Sequence, residues 1–133
     1  MKRIAINGFG RIGRSALKVI FDTNDLEVVG INDLMDIENA VYLLKYDSNY
    51  GKYEKNVRFE GDTIFVGDKA IKYSSIRDIA GLPWKDLNVD VVIESTGLFT
   101  SQSDSGKHIV AGAKTVVMSG PPKYTPPTVH GVN

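Results

Sequence analysis

The 133-residue sequence contains no cysteine, which excludes a disulfide framework, a thiolate zinc site and a thiol nucleophile within these residues. Net charge is also lacking. Sixteen Lys and Arg stand against sixteen Asp and Glu, so no global field draws the chain to nucleic acid or to an anionic membrane. No apolar run approaches the roughly 18 residues of a membrane span. The Lys2-Arg3 start leads into a strand pattern broken at Asn7 and Gly8, so no signal peptide is expected and a cytoplasmic location follows as the default. Histidine is scarce. Neither His108 nor His130 has a neighbouring Ser, Cys or Asp arrangement that suggests catalysis, and both read as structural or exposed. The single tryptophan, Trp84, follows Pro83 and reads as a packing anchor. Four of the five prolines sit at 121, 122, 126 and 127, which makes residues 120–127 a stiff connector with little capacity for helix.

What is present suits one ordinary domain spanning 1–133, since 42% apolar residues suffice for one buried core. Short runs rich in β-branched residues recur at Ile4 to Ile6, Leu26 to Ile31, Val89 to Ile93 and Thr115 to Met118, as in strands buried on both faces of a parallel sheet. Between the first two, Ile12, Ala16, Val19 and Ile20 keep helical spacing and predict an apolar stripe turned toward the sheet. A second helix is predicted from Asp36 to Lys45, with Asp33 or Asp36 as its cap. "YDSNYGKY" is turn-rich. Val57 to Phe59, Thr63 to Val66 and Ala70 to Tyr73, separated by two Gly-Asp pairs, predict a small antiparallel meander inserted in the α/β pattern. The stretch from Ser74 to Asp90 is irregular, a short helix is predicted from Ser103 to Ala111, and Thr128 to Val132 reads as a further strand. The fold class is therefore α/β, a Rossmann-type doubly wound, mostly parallel sheet.

The segment "NGFGRIGR" carries Gly8, Gly10 and Gly13 at G-x-G-x-x-G spacing. Alone this is a weak signal, but here it follows a strand, opens a helix and precedes a second strand ending at Asp33. Gly8 suits the tight turn, Gly10 leaves room for a pyrophosphate, and Gly13 allows helix and strand to pack closely. The helix start then offers free N–H groups and the positive dipole end to the phosphates. Asp33, 20 residues beyond Gly13, is placed to accept from ribose hydroxyls and would repel a 2′-phosphate, which favours NAD over NADP. The bland alternative is that Asp33 only caps the following helix. Ser95-Thr96-Gly97 and Ser119-Gly120 each follow a strand, at the edge where open α/β sheets bind ligands.

Taken together, "NGFGRIGR", "IND" at 31–33, "SIRD" at 75–78, "ESTGLF" at 94–99, "GAKTVVMSGP" at 112–121 and "GVN" at 131–133 resemble the amino-terminal half of the glyceraldehyde-3-phosphate dehydrogenase family. Erythrose-4-phosphate dehydrogenases share these motifs. The resemblance implies an NAD-binding domain in which Asn7 and the glycine loop belong to the cofactor site and Arg11 and Ile12 approach the pyrophosphate. It implies Asp33 on the ribose, Leu34 and Arg77 beside the adenine, Ser95, Thr96, Gly97 and Phe99 along the cleft, and Ser119 toward the nicotinamide. In that family the catalytic cysteine follows the "GVN" region, and a second domain supplies the histidine base. The present residues stop at Asn133, so the expectation is a chain that binds NAD, holds no catalytic or metal-ligating residue of its own, and does not turn over alone. A missing catalytic domain, or self-association through the face that domain would cover, is the implied partner. Two alternatives stand beside this reading: half of a split dehydrogenase completed by a separate catalytic chain, and a non-enzymatic nucleotide- or RNA-binding module. The neutral charge argues against the RNA role.

Overall fold

In the computed structural model, which describes residues 2–46, 55–96, 102–118 and 129–130, the chain opens with β1 (Lys2–Asn7), α1 (Arg11–Phe21) and β2 (Leu26–Asn32), the expected βαβ unit. Then follow α2 (Ile37–Tyr46), β3 (Val57–Glu60), β4 (Thr63–Val66), β5 (Lys69–Ser74), a 3₁₀ turn at Ile79–Gly81, β6 (Val91–Glu94), α3 (Gln102–Val110), β7 (Thr115–Met118) and β8 (Val129–His130). These strands form one sheet in the order β3-β4-β5-β2-β1-β6-β7-β8. The segments 47–54, 97–101 and 119–128, with the proline connector among them, lie outside the described residues. Among the described residues no helix is long and apolar enough to cross a membrane.

β1 is central because its side chains are apolar on both faces. Ile4 and Ile6 enter a core with Leu17 and Ile20 of α1, Val41 and Leu44 of α2, and Ile64 and Ile71 of the meander. Ala5, between them, enters the opposite core with Val29, Val92, Val116, Ile79 and Trp84. Parallel pairing of β1 with both β2 and β6 leaves the carboxyl ends Asn7, Asn32 and Glu94 side by side. The chain thus leaves β1 toward β2 and later returns on its other side at β6, the arrangement that opens a crevice at the strand ends.

Three local expectations need adjustment. The apolar stripe of α1 is Gly13, Leu17 and Ile20, whereas Ile12 is 44% and Val19 65% exposed. Contact between Gly13 and the preceding turn sets the rotation of this helix, and the spacing of apolar residues carries no information about that contact. The antiparallel meander forms as expected but continues the main sheet, because β5 pairs in parallel with β2 from Gly30↔Lys72 to Asn32↔Ser74. Val89 precedes β6 instead of starting it. Its N–H closes a turn onto the Trp84 carbonyl at 3.0 Å, after Asn88 in a left-handed conformation (φ 53°).

Candidate functional site

The site begins where β1 ends. Gly8 has φ +97°, open to glycine and strained for other residues, and a side chain there would meet Thr96 at 2.7 Å. Its N–H donates to the Asn32 carbonyl at 2.7 Å, while its own carbonyl accepts from Ser95 Oγ at 2.7 Å. The next N–H, of Phe9, donates to Asp33 Oδ2 at 2.6 Å. The glycine turn is therefore fastened to the ends of both β2 and β6.

α1 follows without a side-chain cap at Gly10. Its first intrahelical bond runs from Arg14 N–H to the Gly10 carbonyl at 2.9 Å, so the amides of Arg11, Ile12 and Gly13 precede the helical ladder and add to the positive helix end. A Cβ on Gly10 would have nothing within 4 Å, whereas one on Gly13 would overlap the Gly8 carbonyl oxygen and meet Ile6 Cγ2 and Ser95 Oγ at 3.1 Å. One glycine leaves open space in front of a helix end. The other permits packing beneath it.

In front of this turn lies a cleft of about 390 Å³ lined by Asn7, Gly8, Gly10, Asn32, Asp33, Leu34, Ile76, Arg77, Ser95 and Thr96. Eight of these were singled out from the sequence. Arg11 and Ile12 stand exposed on the first turn of α1, beside the lining, and Gly13 is buried under it. Gly97, Phe99 and Ser119 lie outside the described residues. Sequence reasoning missed Asn32 and Ile76. Asn32 was visible inside "IND" as a polar residue closing an apolar strand, but Ile76 carried no signal.

Asp33 combines two functions. Oδ1 accepts from Met35 N–H at 3.0 Å, a local turn bond before α2, while Oδ2 holds the glycine loop. Each carboxylate oxygen can accept a further bond, so neither contact removes the edge offered to the cleft. Tyr73, at the end of β5, donates to the Met35 carbonyl at 2.6 Å. Burial first, and then the Asp33 charge, push its phenol well above the ordinary range, so it stays a neutral donor.

Below the cleft runs a buried polar chain. Asn32 Nδ2 donates to Asn7 Oδ1 at 2.8 Å and Asn7 Nδ2 to Glu94 Oε1 at 2.7 Å. Glu94 Oε2 accepts from Thr96 N–H at 3.0 Å and from Thr96 Oγ1 at 2.6 Å. His108 is fully buried, with Nε2 2.8 Å from Glu94 Oε1 and Nδ1 2.9 Å from Trp84 Nε1. Of the two readings open to His108, structural or exposed, the buried structural one holds.

The family model described as glyceraldehyde 3-phosphate dehydrogenase, NAD binding domain, matches residues 2–102. The chain is 52% identical over 132 residues to the cytosolic glyceraldehyde-3-phosphate dehydrogenase of Trypanosoma brucei brucei, covering 98% of this chain and 40% of that protein. It is 50% identical over 133 residues to the glyceraldehyde-3-phosphate dehydrogenase of Chlamydia pneumoniae, with coverage of 98% and 40%. With the cytosolic protein of Leishmania mexicana it shares 49% over 134 residues, covering 100% of this chain and 40% of the relative. These 133 residues thus span about two fifths of the length of the relatives they match.

Proposed function

The chain belongs to the glyceraldehyde-3-phosphate dehydrogenase family through its NAD-binding domain, and from that premise we propose that the cleft at the ends of β1, β2 and β6 takes the adenosine diphosphate half of NAD. The observation that carries this reading is the open space at Gly10, in front of the amides of Arg11 to Gly13. There the pyrophosphate gains backbone donors and a favourable helix end. Asp33 accepts from the ribose hydroxyls, Leu34 and Arg77 flank the adenine, and Asn7, Ser95 and Thr96 line the path toward the nicotinamide, continued by Gly97, Phe99 and Ser119. Arg11 and Ile12 shield the phosphates from the α1 side.

When bound, NAD supplies the hydride acceptor. This chain binds and orients it. Residues 1–133 act as one dinucleotide-binding unit with a connector at 120–127, working in the cytosol as part of an aldehyde-oxidising dehydrogenase. A thioester route needs a thiolate, and these residues contain no cysteine. The nucleophile, the base and the sugar-phosphate site therefore come from residues outside this sequence, in the same polypeptide or in a partner chain. The partner covers the nicotinamide end. In its absence that face is where copies of this chain self-associate.

The test is a thermal-shift titration with NAD, NADP and ADP-ribose on the wild type and on Asp33→Ala. Ligand at 100 times its dissociation constant stabilises by about 2.7 kcal/mol, several degrees for a domain of this size. The expected order is NAD close to ADP-ribose and above NADP, with the shift reduced in Asp33→Ala. No shift with any of the three, or nicotinamide mononucleotide binding as tightly as NAD, overturns the reading.

A further inference from the structure

The buried chain beneath the cleft has a direction, and that direction is fixed at both ends by groups that can only donate. At one end the backbone N–H of Ile76 donates to Asn32 Oδ1 at 2.8 Å, which forces Asn32 to turn its amide nitrogen toward Asn7 and Asn7 to turn its own toward Glu94. At the other end the indole N–H of Trp84 leaves His108 Nδ1 only the role of acceptor, so the ring hydrogen sits on Nε2 and points at Glu94. Both series converge on one carboxyl group, whose two oxygens receive Asn7 Nδ2, His108 Nε2, Thr96 N–H and Thr96 Oγ1. A carboxylate, with acceptors alone, can satisfy all of them. Trp84 and His108 are fully buried, and Glu94 and Asn7 are each 2% exposed.

Apolar residues would fill this volume at less electrostatic cost. What the polar chain adds is a common fastening for cleft-lining residues from separate strand ends: Asn7 closing β1, Asn32 closing β2, Ile76 beyond β5 and Thr96 beyond β6. We propose that Glu94 is a positioning residue for the dinucleotide cleft, held in place by His108 of α3 as a neutral imidazole with its hydrogen on Nε2, so that the α3 layer sets the geometry of Asn7 and Thr96. The inference rests on the NAD reading above and adds a residue group that touches no cofactor. Glu94→Gln keeps the shape but introduces a donor among donors. His108→Leu removes the support. His108→Gln can still accept from Trp84 and donate to Glu94.

The experiment measures NAD dissociation constants at a temperature where every variant is folded, alongside Val41→Ala, a substitution in the opposite core. Glu94→Gln and His108→Leu are expected to weaken NAD about tenfold, His108→Gln to recover most of the loss, and Val41→Ala to change stability without changing affinity. In the ligand-free protein, ¹⁵N NMR should find the His108 hydrogen on Nε2, and the Thr96 amide resonance should move in His108→Leu. Affinities within twofold of wild type in both disruptive variants overturn the proposal, as does a His108 hydrogen on Nδ1 or an unmoved Thr96 amide. A wild-type chain that fails to bind NAD sinks the functional reading instead, while the two ligand-free NMR results still decide the positioning role.

Discussion

Substituting the second and third glycines of "NGFGRIGR", Gly10 and Gly13, separates a binding role from a packing role. Gly10 sits in extended backbone (φ −79°, ψ −161°) with nothing within 4 Å of the added methyl. Alanine is a poorer helix cap than glycine by a fraction of 1 kcal/mol, but it also reduces unfolded-state freedom by about 0.4–1 kcal/mol. The two nearly cancel, so ligand-free stability should move by no more than about 0.5 kcal/mol. At Gly13 the methyl falls far inside the ordinary carbon–oxygen separation of about 3.3–3.6 Å from the Gly8 carbonyl. That carbonyl cannot retreat freely, since Ser95 Oγ holds it at 2.7 Å and the Gly8 N–H is tied to Asn32. Overpacking of this kind costs about 3 kcal/mol, offset by about 1 kcal/mol of helix propensity, for a net loss near 2 kcal/mol and a fall in melting temperature of about 8 °C. The assay is calorimetry without ligand followed by NAD titration. Gly13→Ala should melt early. Gly10→Ala should melt with the wild type yet bind NAD at least tenfold more weakly, about 1.4 kcal/mol. The reasoning is refuted if Gly10→Ala binds NAD normally, or if it destabilises the ligand-free chain as much as Gly13→Ala.

Leu17→Ala should cost about 2–5 kcal/mol because the side chain is fully buried, while Val19→Ala, at an exposed position on the same helix, should stay within about 0.5 kcal/mol; chemical denaturation distinguishes them. Tyr73→Phe removes the 2.6 Å bond to the Met35 carbonyl, leaving it the longer 3.5 Å bond from Ser75 Oγ, and should lose about 1 kcal/mol. Because the folded phenol is raised above its ordinary value near 10, the stability linked to its ionisation is complete below that pH and is lost above it, an alkaline decline that the phenylalanine variant should not share. Asp90 is held below the usual carboxylate range, first by the Arg3 N–H and then by Lys114. Its contribution is therefore present above about pH 4 and lost as pH falls through the lowered value. The stability gap between wild type and Asp90→Asn should be open at pH 7 and close in strong acid; a gap that widened on acidification would contradict the assignment.

Much of this fold was legible because it is written locally. Short apolar runs separated by Gly-Asp pairs mark β3, β4 and β5 as an antiparallel meander, and Ile4, Ala5 and Ile6, apolar in succession, mark β1 as a strand buried on both faces. The turn at Gly8 and the close packing at Gly13 were legible for the same reason, being set by the strand before them and the helix after. What escaped depends on partners distant in sequence. The rotation of α1 follows from the contact of Gly13 with Gly8 and Ser95, and Ser95 stands 82 positions away, from 13 to 95. The attachment of β5 to β2 leaves no mark in either strand, since a parallel edge and an antiparallel edge use the same apolar residues.

The polar residues at the strand ends resolve a tension in the site. A dinucleotide cleft must keep backbone donors free for phosphate, yet the loop that presents them is glycine-rich and costly to order. Here the ordering is carried by side chains on other elements: Asp33 binds the Phe9 amide, Ser95 the Gly8 carbonyl, and Glu94 the Thr96 amide and the Asn7 side chain. None of these bonds engages the amides of Arg11 to Gly13 at the helix start. The loop is thus held in place by its flanks while its front remains available, so less binding energy is spent on ordering and more remains as affinity. It also follows that Asp33 cannot be assigned to the ribose alone. Substituting it loosens the Phe9 end of the glycine turn, so the ribose contribution must be taken from a cycle in which wild type and Asp33→Ala are each titrated with NAD and with an analogue lacking the adenosine ribose hydroxyls.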